Sequence, residues 1–389
     1  MTADPYESAI RWRRELHRIP GIAFDVGETA AFVARTCTDL GWEVTTGVGG
    51  SGVVASLTRG ASSRSIALRA DMDGLPIEER TGVAHSSRTP GAMHACGHDG
   101  HMAMVLGAAA ALTEHADWEG TVRLVFQPAE EPGTGAEAMI ADGLFARFPV
   151  DEMFGLHNLP GLPEGEIHTR SGPLMAAEDN VEIAVTGRGG HASAPHLVID
   201  PLVIAAEIIL ALQTIVSRSV DPLDAVVVSC TDLDTDGARN ALPDQVVIRG
   251  DARTFTDENS ALVEARIREI AEGIARAHRA ASEVSYTRVF RPTINDPDCA
   301  RHAISAAEAA VGADRVEASC RPITASEDFA AFARAVPACF ALLGAGEIAD
   351  GGTAPLHSRR FDYNDAILPA GIDFFTALVR ARLTKENRA

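Results

Sequence analysis

The sequence has little positive charge: 34 basic residues face 54 acidic ones, for a formal net charge of −20. Nucleic acids and anionic membranes bind basic protein surfaces, so we expect neither as a partner. An anionic substrate would need local positive charge, from a metal ion or a few arginines, to approach such an acidic protein.

Closely spaced cysteines and long apolar runs are also absent. The six cysteines are widely separated, without CxxC pairs or a disulfide framework, which indicates a reducing compartment. Residues 1–7 lack the basic segment and apolar run of a signal peptide. The most apolar later stretch, 203–216, contains Glu207 and Gln213 and is too short to span a bilayer. We therefore expect a cytoplasmic protein.

The first half of the chain alternates between two patterns. Apolar, β-branched runs are separated by helical patterns, which predicts an α/β fold whose sheet is flanked by helices. The predicted strands are 52–57, 65–69, 121–126 and 153–156, and the predicted helices are 6–18, 27–40 and 98–115.

The pattern changes near residue 179 and changes back after residue 291. Between them the order is strand, helix, strand, strand, helix, strand, which is typical of a ferredoxin-like α+β unit. We therefore predict a catalytic domain of residues 1–178 and 292–389, with residues 179–291 inserted as a smaller domain. The inserted elements are strands 180–186, 225–233, 245–254 and 283–288, and helices 201–216 and 258–278.

The run 93–101 concentrates polar side chains just before an apolar, helical stretch. Cys96 and His98 stand two residues apart, beside Asp99 and between His94 and His101. A lone cysteine is usually a small buried hydrophobe, and a lone histidine is usually hydrogen-bonded structure. Several such groups together each need a partner, and a thiolate beside an imidazole is typical of metal ligands.

Further ligand-type residues follow other predicted strands and a late loop. Glu130 and Glu131 come after strand 121–126, His157 ends strand 153–156, and His357 lies in a loop bounded by glycine and proline. Ligands in open α/β folds gather at the carboxyl ends of strands. Each residue alone is weak evidence, since an exposed Glu-Glu pair is usually solvated surface. Together the four segments favour one metal site.

These segments resemble the M20 family of metallopeptidases, and within it the amidohydrolase subgroup of N-acyl-amino-acid, hippurate and auxin-conjugate hydrolases. Arg69 and Cys96 match that subgroup, because many other relatives have His and Asp at these positions. The motifs cover nearly the whole chain: Arg69-Ala70-Asp71-Met72-Asp73, His94-Ala95-Cys96-Gly97-His98-Asp99, Gln127-Pro128-Ala129-Glu130-Glu131, Gly155-Leu156-His157-Asn158, Gly189-Gly190-His191 and Leu356-His357-Ser358.

The resemblance implies a set of site residues. Two divalent metals, from among manganese, zinc, cobalt and nickel, would be bound by Cys96, His98, Glu131, His157 and His357, with Cys96 as a bridging thiolate. Glu130 would be the general base and Asp71 would orient an imidazole ligand. His94 and His101 would be supporting structure. Arg359 follows His357-Ser358 where proline is common, so it could change the charge of the pocket.

The inserted domain would supply the remaining groups. His191 would donate a hydrogen bond to the oxyanion, either within its own subunit or across a homodimer made by this domain. Its alternative is a simple glycine-rich turn. Asn240 and Arg253 resemble residues that hold the substrate carboxylate, although a strand residue such as Arg253 could instead only brace the sheet.

The resulting hypothesis is a metal-dependent amidohydrolase that releases an amino acid from an N-acyl or N-aroyl conjugate. A dipeptidase, or a deacetylase of an N-acetyl-diaminopimelate type of substrate, is the alternative within the same chemistry. A non-catalytic metal-binding protein on the same fold would lack Glu130, which is present. A thiol oxidoreductase is disfavoured because no second cysteine stands near Cys96 in sequence.

Overall fold

The computed structural model describes residues 4–348 and 353–384, and these form two compact units. Unit 1 contains the described residues up to Leu174, Ile294–Arg321, and the described residues from Asp328 onward. Unit 2 contains Met175–Thr293 and Pro322–Glu327. The predicted insert falls inside unit 2, which also includes the short segment Pro322–Glu327 that our sequence prediction assigns to the larger domain.

The predicted elements all correspond to observed ones, with ends that differ by a few residues. The strands of the described chain are β1 (Glu43–Val48), β2 (Gly52–Arg59), β3 (Ser65–Asp71), β4 (Gly120–Gln127), β5 (Glu152–Leu159), β6 (Ile167–His168), β7 (Gly172–Met175), β8 (Ala177–Thr186), β9 (Gly190–His191), β10 (Val226–Thr235), β11 (Ala241–Leu242), β12 (Gln245–Thr254), β13 (Ala281–Phe290), β14 (Thr293–Asn295), β15 (Val316–Glu317) and β16 (Ala338–Gly344).

The helices are numbered in the same way. They are α1 (Pro5–His17), α2 (Gly27–Asp39), α3 (His98–Glu114), α4 (Gly135–Ala141), α5 (Leu144–Arg147), α6 (Pro201–Arg218), α7 (Asp257–Ala277), α8 (Pro297–Val311), α9 (Phe329–Ala335) and α10 (Leu368–Arg382), with 3-10 turns at Pro195–Leu197, Ala313–Arg315 and Asp365–Ile367.

A mixed eight-stranded sheet forms the centre of unit 1, in the order β1-β2-β4-β3-β5-β16-β6-β15. Its middle strands β4, β3, β5 and β16 run parallel, so their carboxyl ends lie along one edge. At that edge Asp71 pairs with Gln127, and His157 pairs with Leu342. The predicted α/β fold is confirmed, and its sheet brings the segments after β3, β4 and β5 together.

Helix α3 carries the run around Cys96 into the core. Its residues from His98 to Ala109 are all buried, and it packs against α1 and α10. Gly97 precedes it with φ of 99°, and a Cβ there would lie 2.2 Å from Oδ1 of Asn158. Only glycine fits such a backbone and such a close approach. The tight entry places Cys96 just before the helix and His98 at its first position.

Unit 2 has an antiparallel sheet in the order β10-β12-β8-β13, with α6 and α7 packed on it. Helix α6 is longer than predicted: its 18 residues have a mean hydropathy of 1.6, so length and composition alone would permit a membrane span. Its buried residues Ile204, Ile208 and Leu212 pack instead in the core of unit 2. This is the packing of a helix that buries one face against a sheet.

Candidate metal centre

The five residues predicted as metal ligands come together in unit 1. The ligand atoms of Cys96, Glu131 and His357 lie within 4.8 Å of one another. Nε2 of His98 is 3.8 Å from Oε1 of Glu131, and Sγ of Cys96 is 3.4 Å from Nε2 of His157. The sheet edge, the start of α3 and a late loop thus deliver one thiol, three imidazoles and one carboxylate to the same place.

Both buried imidazoles are held by main-chain carbonyl groups. Nδ1–H of His98 donates to the carbonyl of Asp73 at 2.8 Å, and Nδ1–H of His157 donates to the carbonyl of Asn158 at 2.7 Å. Each bond leaves Nε2 directed at the cluster, as second-shell partners of metal-bound histidines do. Burial lowers the pKa of His98 to about 3 and lowers the pKa of His157 well below its usual value. Both imidazoles are therefore neutral near pH 7, the form that binds metals.

The turn after β4 carries two carboxylates at neighbouring positions, Glu130 and Glu131. Ala129 has φ of 51°, a conformation uncommon outside glycine, and Glu130 follows it as a buried residue. Oε2 of Glu130 lies 4.0 Å from Nε2 of His98, so this carboxylate faces the cluster too. Glu130 therefore lies beside the proposed ligands and Glu131 is one of them, as expected for a base and a ligand in adjacent positions.

Asp73 has a position that our sequence analysis does not anticipate. Its carboxylate accepts the backbone N–H groups of Glu130 and Glu131, at 3.0 and 3.2 Å. Burial raises the pKa of Asp73 to about 7, although these two N–H groups act in the opposite direction. The available sequence signal was a second acid two residues after Asp71, within a motif already noted.

Asp71 orients an imidazole, but its short hydrogen bond is not to one of the five proposed ligands. Its Oδ1 accepts from Nδ1 of His101 at 2.7 Å, and its Oδ2 pairs with Arg69 at 2.9 Å. Nε2 of His98 is further away, at 3.5 Å. Burial alone would raise the pKa of Asp71, but the Arg69 guanidinium and the hydrogen bond from His101 hold it well below its usual range. Asp71 is therefore an ionised group behind the cluster.

His101 is fully engaged by its neighbours. While Nδ1 contacts Asp71, Nε2 lies 2.6 Å from Oδ1 of Asn158 and 3.1 Å from its backbone N. A ring nitrogen of His101 lies within 4.8 Å of ligand atoms of His98 and His157, but both of its nitrogens already have hydrogen-bond partners in Asp71 and Asn158. This arrangement agrees with the structural role expected for His101.

His357 enters the cluster from a loop with unusual backbone geometry. Its φ is 61°, its backbone N–H donates to the carbonyl of Ala95 at 2.8 Å, and its Nε2 is 3.7 Å from Oε2 of Glu131. The side chain is 55% exposed, unlike those of His98 and His157. Strained backbone of this kind is often found at functional sites, where surrounding contacts hold it.

His191 and Asn240 lie together in unit 2. Strand β9, which contains His191, pairs with β11, and the backbone N–H of Ala192 donates to the carbonyl of Asn240 at 3.1 Å. The backbone N–H of Ser193 donates to Nδ1 of His191 at 3.1 Å. Because that nitrogen accepts, the proton of the neutral ring is on Nε2. The exposed end of His191 is thus a hydrogen-bond donor.

Arg253 is already paired within unit 2. Its guanidinium contacts Glu178 and Asp251, each at 2.8 Å, and donates to Oγ of Ser326 at 2.7 Å. Two carboxylates around one guanidinium offset its positive charge. The contacts favour its alternative role of bracing the sheet.

The donor set fits divalent metals of borderline softness. Thiolate, imidazole and carboxylate together suit manganese, cobalt, nickel or zinc. Nε2 of His98 is buried, and among residues 4–348 and 353–384 it has no hydrogen-bond partner. A buried nitrogen in that state is costly unless it binds something the protein does not supply. The residues present therefore fit a metal centre.

Comparisons with known proteins agree with this geometry. Residues 67–381 match the model of the peptidase family M20/M25/M40. A hippurate hydrolase of Campylobacter jejuni is 37% identical, with 94% of each chain covered. An N-acetyl-L-cysteine deacetylase of Bacillus subtilis is 39% identical over 85% of this chain and 79% of its own.

A solved structure extends the likeness to three dimensions. A Bacillus subtilis protein described as a dinuclear metal binding peptidase has a TM-score of 0.83 and 33% identity, covering 97% of this chain and 98% of its own. The chain belongs to the peptidase family M20/M25/M40 and, within it, to the amidohydrolase subgroup.

Proposed function

We propose that this protein is a metal-dependent amidohydrolase that cleaves the amide bond of N-acyl or N-aroyl amino acids. The products would be a free amino acid and a carboxylic acid. The observation that carries the proposal is the convergence of Cys96, His98, Glu131, His157 and His357 beside the buried Glu130. Two similar relatives are named for substrates of this class, a hippurate and an N-acetyl amino acid.

The five converging side chains would hold two divalent ions, with Cys96 shared between them. When bound, the ions would polarise the scissile carbonyl and make a water molecule acidic near neutral pH. Manganese, zinc, cobalt and nickel all suit these donors. Neutral His98 and His157 need not lose a proton before binding, because burial keeps their pKa values low.

Glu130 would move the proton in this reaction. Its carboxylate would accept a proton from the attacking water and then give it to the nitrogen of the leaving amino acid. Asp71 remains ionised behind the cluster, where it holds His101 and Arg69 rather than exchanging protons with substrate. Glu130 and Asp71 thus have separate tasks, proton transfer for one and positioning for the other.

His191 would stabilise the oxyanion that forms at the scissile carbonyl. The hydrogen bond from Ser193 to Nδ1 supports this role, because it leaves Nε2–H free to donate. Asn240, in the turn just before β11, is the side chain we propose for the substrate carboxylate. Arg253 would bind the substrate carboxylate only if it broke its ion pair with Glu178 or Asp251. We therefore propose that it contributes less to substrate binding than Asn240.

A homodimer through unit 2 completes the proposal. Helix α6 has a second apolar face, with Val203 and Leu210 respectively 59% and 72% exposed, and β10 is an edge strand of its sheet. Such a face and edge are suited to a second copy of the chain. The wide and irregular spacing of the six cysteines supports a reducing, cytoplasmic location.

The proposal is tested by metal analysis together with a substrate screen. Purified protein would be assayed for amine release from N-acetyl, N-benzoyl and indoleacetyl amino acids, before and after chelation and metal addition. Activity that chelation abolishes and a divalent metal restores is expected. If dipeptides or N-acetyl-diaminopimelate were cleaved faster by a wide margin, the protein would be a dipeptidase or a deacetylase instead. Activity that does not change on chelation would reject the metal role.

A further inference from the structure

Asp73 contacts three of the proposed site residues at once. It lies two residues beyond the end of β3 and its side chain is fully buried. Its two carboxylate oxygens accept the backbone N–H groups of Glu130 and Glu131, one each, at 3.0 and 3.2 Å. Its carbonyl accepts Nδ1–H of His98 at 2.8 Å. One residue therefore joins the turn after β4 to the first turn of α3.

The turn after β4 needs such a partner. Its residue Ala129 has φ of 51°, and the two N–H groups that follow point inward at Asp73 rather than outward to solvent. Buried N–H groups require acceptors. A carboxylate offers one to each, whereas an asparagine would face one of them with its own NH2 group. The contact therefore favours aspartate, whose side chain has an oxygen for each of the two amides.

We propose that Asp73 is the positioning residue that fixes Glu130 for proton transfer and Glu131 and His98 for metal binding. The inference rests on the proposed function, since it takes the roles of those three residues from it. The side chains of Glu130 and Glu131 can keep different directions only if the backbone of their turn is held in place. Asp73 fixes that backbone on one side and the imidazole ring of His98 on the other.

If Asp73 only stabilised the fold, its replacement would change metal affinity and kcat no more than the replacement of another aspartate that holds backbone amides. Asp296 provides the comparison, because its carboxylate also accepts two backbone N–H groups, those of Asp298 and Cys299, both at 2.9 Å. These contacts cap the start of α8 and involve none of the proposed site residues. Both amides bind one oxygen, Oδ1, which an asparagine would also offer. Asp296→Ala is therefore the control for the loss of a side chain that holds two amides.

The experiment compares Asp73→Asn, Asp296→Ala and wild type in three measurements: melting temperature, affinity for added Mn²⁺ or Zn²⁺, and kcat with KM. We expect Asp73→Asn to lower kcat about 10- to 100-fold with little change in KM, and to weaken metal retention. Asp296→Ala should keep both metal affinity and kcat within about twofold of wild type even where its melting temperature falls.

Two outcomes would overturn the inference. One is a kcat and metal affinity of Asp73→Asn equal to wild type; the other is losses in both aspartate variants that follow melting temperature alone. If Asp73→Asn does not fold, Asp73→Ser replaces it, since it leaves room for a water to satisfy the two amides. If wild type cleaves no substrate, the proposed function fails, and metal affinity alone then decides the role of Asp73.

Discussion

The sulfur of Cys96 lies 3.4 Å from Nε2 of His157, although 61 residues separate them along the chain. One residue precedes α3 and the other stands at the end of β5, and both are buried. The ring of His157 is held by the carbonyl of Asn158, so this approach is fixed by the backbone of the strand. A thiolate held there can be shared between two cations.

Cys96→Ala is therefore expected to lose metal and activity together. Removal of a shared ligand should reduce the bound metal from two ions to one or none and lower kcat by more than about 100-fold. Metal analysis and amine release measure the two effects. Cys230→Ala, in unit 2, is the control and should retain both. A Cys96→Ala protein with full metal content would contradict the bridging role.

Glu130→Gln is expected to separate metal binding from catalysis. The amide keeps the size of the side chain but cannot take a proton, so kcat should fall about 100- to 10,000-fold while metal content stays at the wild-type value. Glu131→Gln, one residue later, should instead lower metal content. If both variants lost metal equally, Glu130 would be a ligand rather than the base.

His191→Ala is expected to lower kcat by roughly 100- to 1,000-fold without loss of metal, because it removes one donor to the oxyanion. His196 is the control: it is an exposed histidine of the same unit, and His196→Ala should retain wild-type kcat. Metal analysis and steady-state kinetics check the expectation. An unchanged kcat in His191→Ala would exclude the role.

His17 is expected to make stability depend on pH. Although burial opposes its charge, Asp99 at 2.8 Å and Glu79 raise the pKa of His17 to about 9. A pKa raised on folding adds stability below about pH 6.5, the unfolded value, and that stability is lost as pH rises through about 9. The contribution is about 3 kcal/mol at most.

Urea unfolding of wild type and His17→Gln at several pH values measures this effect. The difference in the free energy of unfolding should be largest near pH 6 and should shrink between pH 7 and pH 9.5. A difference that does not change with pH would show that His17 is not charged in the folded protein.

Leu210→Glu is expected to disrupt the proposed homodimer. The substitution puts a charge on the exposed apolar face of α6, where burial against a second copy would desolvate it. Sedimentation velocity should show monomers for this variant and dimers for wild type. Arg276→Glu, on an exposed position of α7, is the control and should remain dimeric. A monomeric wild type would reject the interface.

The sequence determined the fold class, many of the longer elements and the identity of the ligand-type residues. The long apolar, Ala-rich run predicted α3, and short apolar, β-branched runs predicted β4 and the four strands of the main sheet of unit 2. Strand β1 was not, because Glu43–Val48 is only partly apolar and lies at the sheet edge, where pairing with β2 rather than burial stabilises it. Family motifs supplied the roles of Cys96 and Glu130.

Only the tertiary structure decided how the polar groups are paired. It gave Arg253 two carboxylate partners, gave Asp71 the ring of His101, and placed Asp73 beneath both Glu130 and Glu131. It also placed Pro322–Glu327 in unit 2. The physical reason is the distance along the chain over which each feature is set. Periodicity and helix caps depend on neighbours a few residues apart. The partner of a buried charge depends on strands that come together from distant parts of the chain.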